Sequence, residues 1–230
     1  MGVGLRETKK QQTRTAIADA ALELFLEHGF AQVTVADVAR RAGVSTNTVF
    51  NYFSTKEDLF FDRQAEAEGH LAALVRDRAP GTCPVEVVRD SLLAALQRNE
   101  PMLGLHPGAV RFWQVIHDSP ALRAREREIG ERAEAALAVA LAEHAPTTAM
   151  TSSSSDLPMP AFLAGAVAGT HRAVLREIQR RVMSGEPAAH ARDAVAPAAL
   201  RAFNLLCLGL HADAREETPQ RRRSPRQPGP

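Results

Sequence analysis

The residue that most constrains this chain is Gly43. It separates two short stretches of helical spacing within Val33–Phe60, VTVADVARRAGVSTNTVFNYFSTKEDLF. Thr34 with Asp37 three residues on reads as a capping box that starts the first helix. Val35, Val38, Ala39 and Ala42 then make one apolar face. A glycine at the end of such a helix can take φ > 0 without a Cβ clash, so the chain can turn sharply there. Val44 plugs the corner, Ser45 is a good N-cap for a second helix, and Val49 and Phe53 face inward from it. Ser45, Thr46, Asn47, Thr48, Asn51 and Tyr52 give the second helix an outward surface of short or planar hydrogen-bonding groups. Such a surface matches the donors, acceptors and thymine methyls of a DNA major groove, and the N-terminus at Thr34 can aim amides at a phosphate. Helix–glycine–helix corners also occur in all-helical proteins that bind no DNA, and a Ser/Thr/Asn-rich helix can simply face water.

Thr34, Asp37-Val38-Ala39, the Ala42-Gly43-Val44-Ser45 corner, Thr48, the aromatic cluster Phe50–Phe53 and Lys56-Glu57-Asp58-Leu59-Phe60 together resemble the TetR family of bacterial transcriptional regulators. The resemblance implies a homodimer whose all-helical C-terminal domain binds a small molecule and moves two DNA-binding heads apart. By matching position it implies phosphate contacts from Thr34, Ser45, Thr48, Tyr52 and Lys56, and base-facing positions at Thr46, Asn47 and Asn51. Phe50 stands where the family usually has a tyrosine whose hydroxyl reaches DNA; Phe50 can only pack or touch a thymine methyl.

The remaining chain reads as all-α, with no strands and no internal repeats. Residues 1–61 are expected to form a three-helix helix-turn-helix head with a basic N-terminal arm (Arg6, Lys9, Lys10, Arg14), residues 62–213 a helical ligand-binding and dimerisation domain, and residues 214–230 a disordered basic tail. The spacing predicts helices over Thr13–His28, from Ser54-Thr55 as one long connecting helix to about Val75, and over Pro84–Asn99, Gly108–His117, Ala121–His144, Ala161–Met183 and Ala191–His211. Pro101–Pro107 reads as irregular, and Pro146–Pro160, rich in Thr, Ser and Pro, as mobile. The alternating charges from Arg123 to Glu134 read as an exposed, salt-bridged helix.

Net charge is only +1 over 230 residues, so basicity resides in the arm and the tail and gives no global case for nucleic acid. No uninterrupted apolar stretch approaches the ~18 residues of a membrane span, and the basic N-terminus has no apolar run after it. Cys83 and Cys207 are far apart in sequence and suggest neither a disulfide framework nor a zinc site, which fits a reducing cytoplasm.

Ala161, Gly165 and Gly169 form a small-xxx-small stripe that allows close helix approach, either across a dimer or inside one subunit. The last helix is apolar almost all round, and Phe203, Leu206 and Leu210 join that stripe as candidates for an isologous four-helix interface. Met102, Leu103, Phe112, Trp113, Ile116, His117 and Phe162 are candidate lining for an effector pocket, or ordinary core. The eight histidines include no pair three or four apart, and no P-loop, GxSxG or dinucleotide fingerprint is present. No enzyme, metal or cofactor is therefore expected. The expected function is a cytoplasmic repressor that leaves a pseudo-palindromic double-stranded operator when a small-molecule effector binds. The alternatives are an activator of the same fold, or a helical protein-interaction module without DNA binding.

Overall fold

The computed structural model describes residues 3–106, 108–143 and 159–216, without the side chains of residues 3, 5 and 211–216. Among these the chain is helical, with no strand. The head comprises α1 (Val3–His28), α2 (Val35–Arg41), α3 (Thr46–Tyr52) and α4 (Lys56–Phe60). The body comprises α5 (Gln64–Arg76), α6 (Pro84–Arg98), a 3₁₀ turn at Pro101–Leu103, α7 (Ala109–Asp118), α8 (Pro120–Glu143), α9 (Met159–Met183) and α10 (Ala188–Glu216). The Thr/Ser/Pro-rich loop lies outside the described residues except for Met159 and Pro160, which open α9. Residues 217–230 also lie outside them, and α10 extends three residues into the predicted tail.

Two apolar clusters hold the chain. In the head, Ile17, Ala21 and Phe25 of α1 meet Val38, Val49, Phe53, Leu59 and Phe60. That cluster does not stop at the head: Val115 and Ile116 of α7 and Leu122 of α8 belong to it. The body core gathers Leu71 and Val75 of α5, Val88, Leu92 and Leu96 of α6, Leu137 of α8, Val167 and Ile178 of α9, and Phe203 of α10.

Three elements differ from the sequence reading. First, α1 begins ten residues earlier than Thr13, so the basic arm continues the helix. Arg14 is not part of a free arm: its guanidinium lies 4.5 Å from the centre of the Phe53 ring and donates to the Asp62 carbonyl at 3.0 Å. Second, the connecting helix is two helices. Phe61 leaves helical geometry at φ −102°, ψ 54°, and Phe60 and Phe61 meet edge-on at 5.1 Å. The backbone carbonyl of Asp62, beyond the break, is satisfied by Arg14. Third, α8 carries the expected salt bridges, Arg125–Glu128 and Arg132–Glu128, but its charges also reach beyond the helix. Arg125 reaches Asp58 of α4 at 2.7 Å and Arg132 reaches Glu68 of α5 at 3.4 Å, so its charges tie the body to the head and to the connecting segment.

The final helix is long and apolar enough to cross a membrane by length and composition, with mean hydropathy 1.3 over Ala188–Leu210. Its packing is that of a core helix on one side only. Ala191, Val195, Ala199, Phe203 and Cys207, four apart, are buried, and α10 packs on α6 and α9. Leu200, Leu205 and Leu208 remain exposed.

Candidate nucleic-acid interface

The corner is built by local chemistry. The Thr34 hydroxyl accepts from the Asp37 amide at 3.2 Å, and the Asp37 carboxylate accepts from the Thr34 amide at 2.9 Å. These bonds from Thr34, helped by Arg40, hold the Asp37 carboxyl below its usual pKa. Gly43 has φ +68°, as the turn requires. Ser45 then caps α3, its Oγ accepting from the Thr48 amide at 3.0 Å. Two further glycines with positive φ, Gly29 and Gly104, mark the end of α1 and of the 3₁₀ turn.

This frame sorts the side chains of α3. Val49 and, just beyond the helix, Phe53 are buried in the head core, with Tyr52 packed against it. Thr46, Asn47, Phe50 and Asn51 are exposed. Positions i, i+1, i+4 and i+5 form one continuous stripe on a helix. Phe50, whose ring could either pack or touch a thymine methyl, is 53% exposed in the middle of it. Thr34 and Ser45 are exposed at the starts of α2 and α3, and Thr48 is half-buried with its Oγ1 2.8 Å from Ser45 Oγ.

Lys56 is placed differently from a free phosphate-seeking lysine. Its Nζ donates to the Phe30 carbonyl and lies 4.4 Å from the centre of the Phe30 ring. Burial lowers its pKa. An ammonium has three donors, so this anchorage leaves others for an anion.

The profile of bacterial regulatory proteins of the tetR family matches residues 17–62. Over those residues the head is similar to the tetR family of bacterial regulators. The chain is similar to the HTH-type transcriptional regulator TcmR of Streptomyces glaucescens, 31% identical over 97 residues, covering 42% of this chain and 43% of that protein. It is also similar to the putative mycofactocin biosynthesis transcriptional regulator MftR of Mycobacterium tuberculosis, 44% identical over 66 residues, 29% of this chain and 32% of that one. The matched segments thus span less than half the length of these curated relatives. The fold as a whole is similar to that of NalD, the secondary repressor of the MexAB-OprM multidrug efflux pump in Pseudomonas aeruginosa. In its native crystal structure the TM-score is 0.52 at 19% identity, covering 84% of this chain and 97% of that one.

In this chain the head is locked to the body by rings. Phe30 meets Phe25 at 5.0 Å, Phe25 meets Phe60 at 6.0 Å, Phe60 stacks on Phe112 at 4.8 Å, and Phe112 meets Trp113 edge-on at 5.2 Å. The expected pocket residues are therefore distributed, not gathered. Ile116 and Phe112 belong to the head–body joint, Leu103 is body core, and Trp113 touches both clusters. Met102, His117 and Phe162 are exposed. Gly104 makes room for Trp113: a Cβ there would sit 2.8 Å from the indole nitrogen. That nitrogen is buried and has no hydrogen-bond partner among the described residues.

The expected interface residues divide likewise. Phe203 is fully buried within its own subunit. A Cβ on Gly165 would meet the Glu134 carboxylate of α8 at 3.3 Å, so this glycine faces α8 of its own subunit. Ala161 is exposed, a Cβ on Gly169 would meet open space, and Leu206 and Leu210 are half-buried against the body core. The residues that leave the apolar side of α10 uncovered are Leu205 and Leu208, 70% and 66% exposed. Sequence periodicity missed them because a helix that is apolar all round hides which side its own subunit covers.

Deeper in the body, burial and then the neighbouring His70 and Arg172 lower the pKa of His171 from 6.5 to about 4. The fold holds the neutral imidazole. An unfolded histidine titrates near 6.5, so the stability tied to neutral His171 is present above that pH and is lost as pH falls from about 6.5 toward 4. Thermal melts across this window are expected to show Tm falling more steeply in the wild type than in His171→Gln. Parallel slopes would assign the loss to other groups.

Proposed function

We propose that the chain is a homodimeric, cytoplasmic DNA-binding regulator, a repressor that releases a pseudo-palindromic operator when a small-molecule effector binds. The observation that carries this reading is the solvent-facing stripe of Thr46, Asn47, Phe50 and Asn51 on a helix whose other side is fixed in the head core. A capped helix held at a set angle by a glycine corner is the part that enters a major groove. Thr34, Ser45, Thr48, Tyr52 and Lys56 flank it as phosphate contacts, and two heads would engage half-sites roughly 34 Å apart or a multiple of that. Phe50 adds an apolar contact suited to a thymine methyl.

Residues 62–213 supply the response and the pairing. The buried indole N–H of Trp113, unpartnered among the described residues and beside Gly104 and Phe112, supports an effector site at the head–body joint, where an acceptor on the ligand would satisfy it. Occupancy there bears on the ring contacts that orient the head. An effector shifts the head only by binding one orientation better than the other. The exposed apolar side of α10 supports pairing through α9 and α10. Relatives that are named as transcriptional regulators support a non-enzymatic role.

Selection from random duplexes by the full-length protein tests this reading, and it is expected to return two inverted half-sites. Asn47→Ala is expected to relax preference at one base position by about 1–3 kcal/mol, and Phe50→Ala at a thymine. Identical selected sequences from the wild type and both variants would refute the assignment of α3 as the reading helix. Failure of the wild type to enrich any sequence would refute DNA recognition itself.

A further inference from the structure

Cys83 and Cys207 are the two cysteines of the chain, and folding places both at the body core on helices that pack on each other. Cys83 stands at the N-cap of α6, half-buried against the body core; Cys207 lies in that core on α10. The two helices pack on each other, and a second tie crosses the same contact, Arg89 of α6 donating to Asn204 of α10 at 2.8 Å. Both thiols are free. Burial, then the adjacent Cys83 thiol within hydrogen-bonding reach, pushes Cys207 up to about 11 against the pull of Arg89. Cys207 is thus a poor first nucleophile, and the more accessible Cys83 is the one an oxidant meets.

We propose that Cys83 and Cys207 are a peroxide-responsive dithiol, oxidised to an intrachain disulfide that alters the apolar face of α10. The Cys83 sulfur attacks one oxygen of hydrogen peroxide, the O–O bond breaks, and Cys83 becomes a sulfenic acid with release of water. The Cys207 sulfur then displaces hydroxide from that sulfenic acid, its proton leaves in a second water, and the S–S bond forms. The two thiols lose two electrons and two protons; the peroxide gains them. Thiol–disulfide exchange with a reduced dithiol reverses the change. In a reducing compartment such a pair is transient and sensory, not a structural staple.

The consequence follows from position. The sulfurs must close from non-bonded contact to about 2.05 Å, which draws α10 toward the start of α6. Cys207 lies between Leu205 and Leu208, so the same movement displaces the two exposed leucines. This second step rests on the dimer reading above; the chemistry does not.

The test uses the full-length protein, reduced, desalted and exposed to hydrogen peroxide, then alkylated and mapped by mass spectrometry. The expected product is a Cys83–Cys207 peptide pair within one chain, reversed by dithiothreitol. Cys207→Ser is expected to stop at a sulfenic acid on Cys83 that dimedone traps, and Cys83→Ser to leave Cys207 as a thiol. Two alkylatable thiols after treatment, a disulfide between subunits, or Cys83 driven to sulfinic acid without a disulfide would each overturn the proposal. Should Cys207→Ser fail to fold, the wild-type map and Cys83→Ser decide it. Sedimentation equilibrium of reduced and oxidised protein is expected to show a dimer about tenfold weaker when oxidised, or about 1.4 kcal/mol. An unchanged dimer overturns the effect on α10. A chain monomeric when reduced overturns the dimer reading and with it that effect, while the peptide map judges the disulfide separately.

Discussion

Phe60→Ala is expected to lower the stability of the whole chain by about 3–5 kcal/mol, the usual loss when a buried phenylalanine is truncated. Phe60 is 4% exposed and touches Phe25, Phe30, Phe61 and Phe112. No other ring in the described residues joins α1, the connecting segment and α7 in this way. Its removal leaves a cavity at the joint and removes the stack that carries contact from the head to Trp113. Neighbouring α8 cannot easily close that space, because Arg125 is tied to Asp58 of α4. Denaturant unfolding followed by circular dichroism measures the loss, and fluorescence of the single tryptophan reports the joint. Phe61→Ala, at a half-buried ring, is expected to cost less. A loss below about 1 kcal/mol for Phe60→Ala, outside the range of a truncated core aromatic, would show that the joint is loosely packed.

The head was legible in the sequence because its signals are local. A capping box, a glycine that must turn and a serine cap each act over three or four residues, and each is present in the structure. The break at Phe61 was not legible. Its cause is a carbonyl taken up by Arg14, forty-eight positions earlier, and a pair of rings that both seek the head–body joint. Lys56 shows the same limit from the other side. Its motif position suggests phosphate, whereas a carbonyl and two rings brought in from Phe25 and Phe30 decide where the ammonium rests. Helical period alone could not divide α10 into covered and uncovered sides, since both are apolar; that division depends on α6 and α9. Nor could spacing reveal that Cys83 and Cys207 are neighbours, because their meeting is a product of that same packing.

The double variant Leu205→Glu, Leu208→Glu is expected to abolish dimerisation and to weaken operator binding about 10²–10⁴-fold, the advantage that two linked sites hold over one. Both leucines are exposed in the subunit, so the changes cost little in its own fold. The connection from α9 to α10 is short and the helices pack on each other, which places Met159 and Phe162, also exposed, at the same end of the pair. In an isologous interface each residue recurs on the partner, so two glutamates per subunit put four buried carboxylates in one contact. Unpaired buried charge is among the costliest changes an interface can suffer. Sedimentation velocity reads the subunit state, and mobility shift with full and half operators reads the DNA consequence. Half-site affinity and the thermal melt of the subunit should survive, which separates lost pairing from lost folding. A variant that still sediments as a dimer would place the interface elsewhere on the body, and one that is monomeric yet binds the full operator undiminished would show that the two heads do not act as a linked pair.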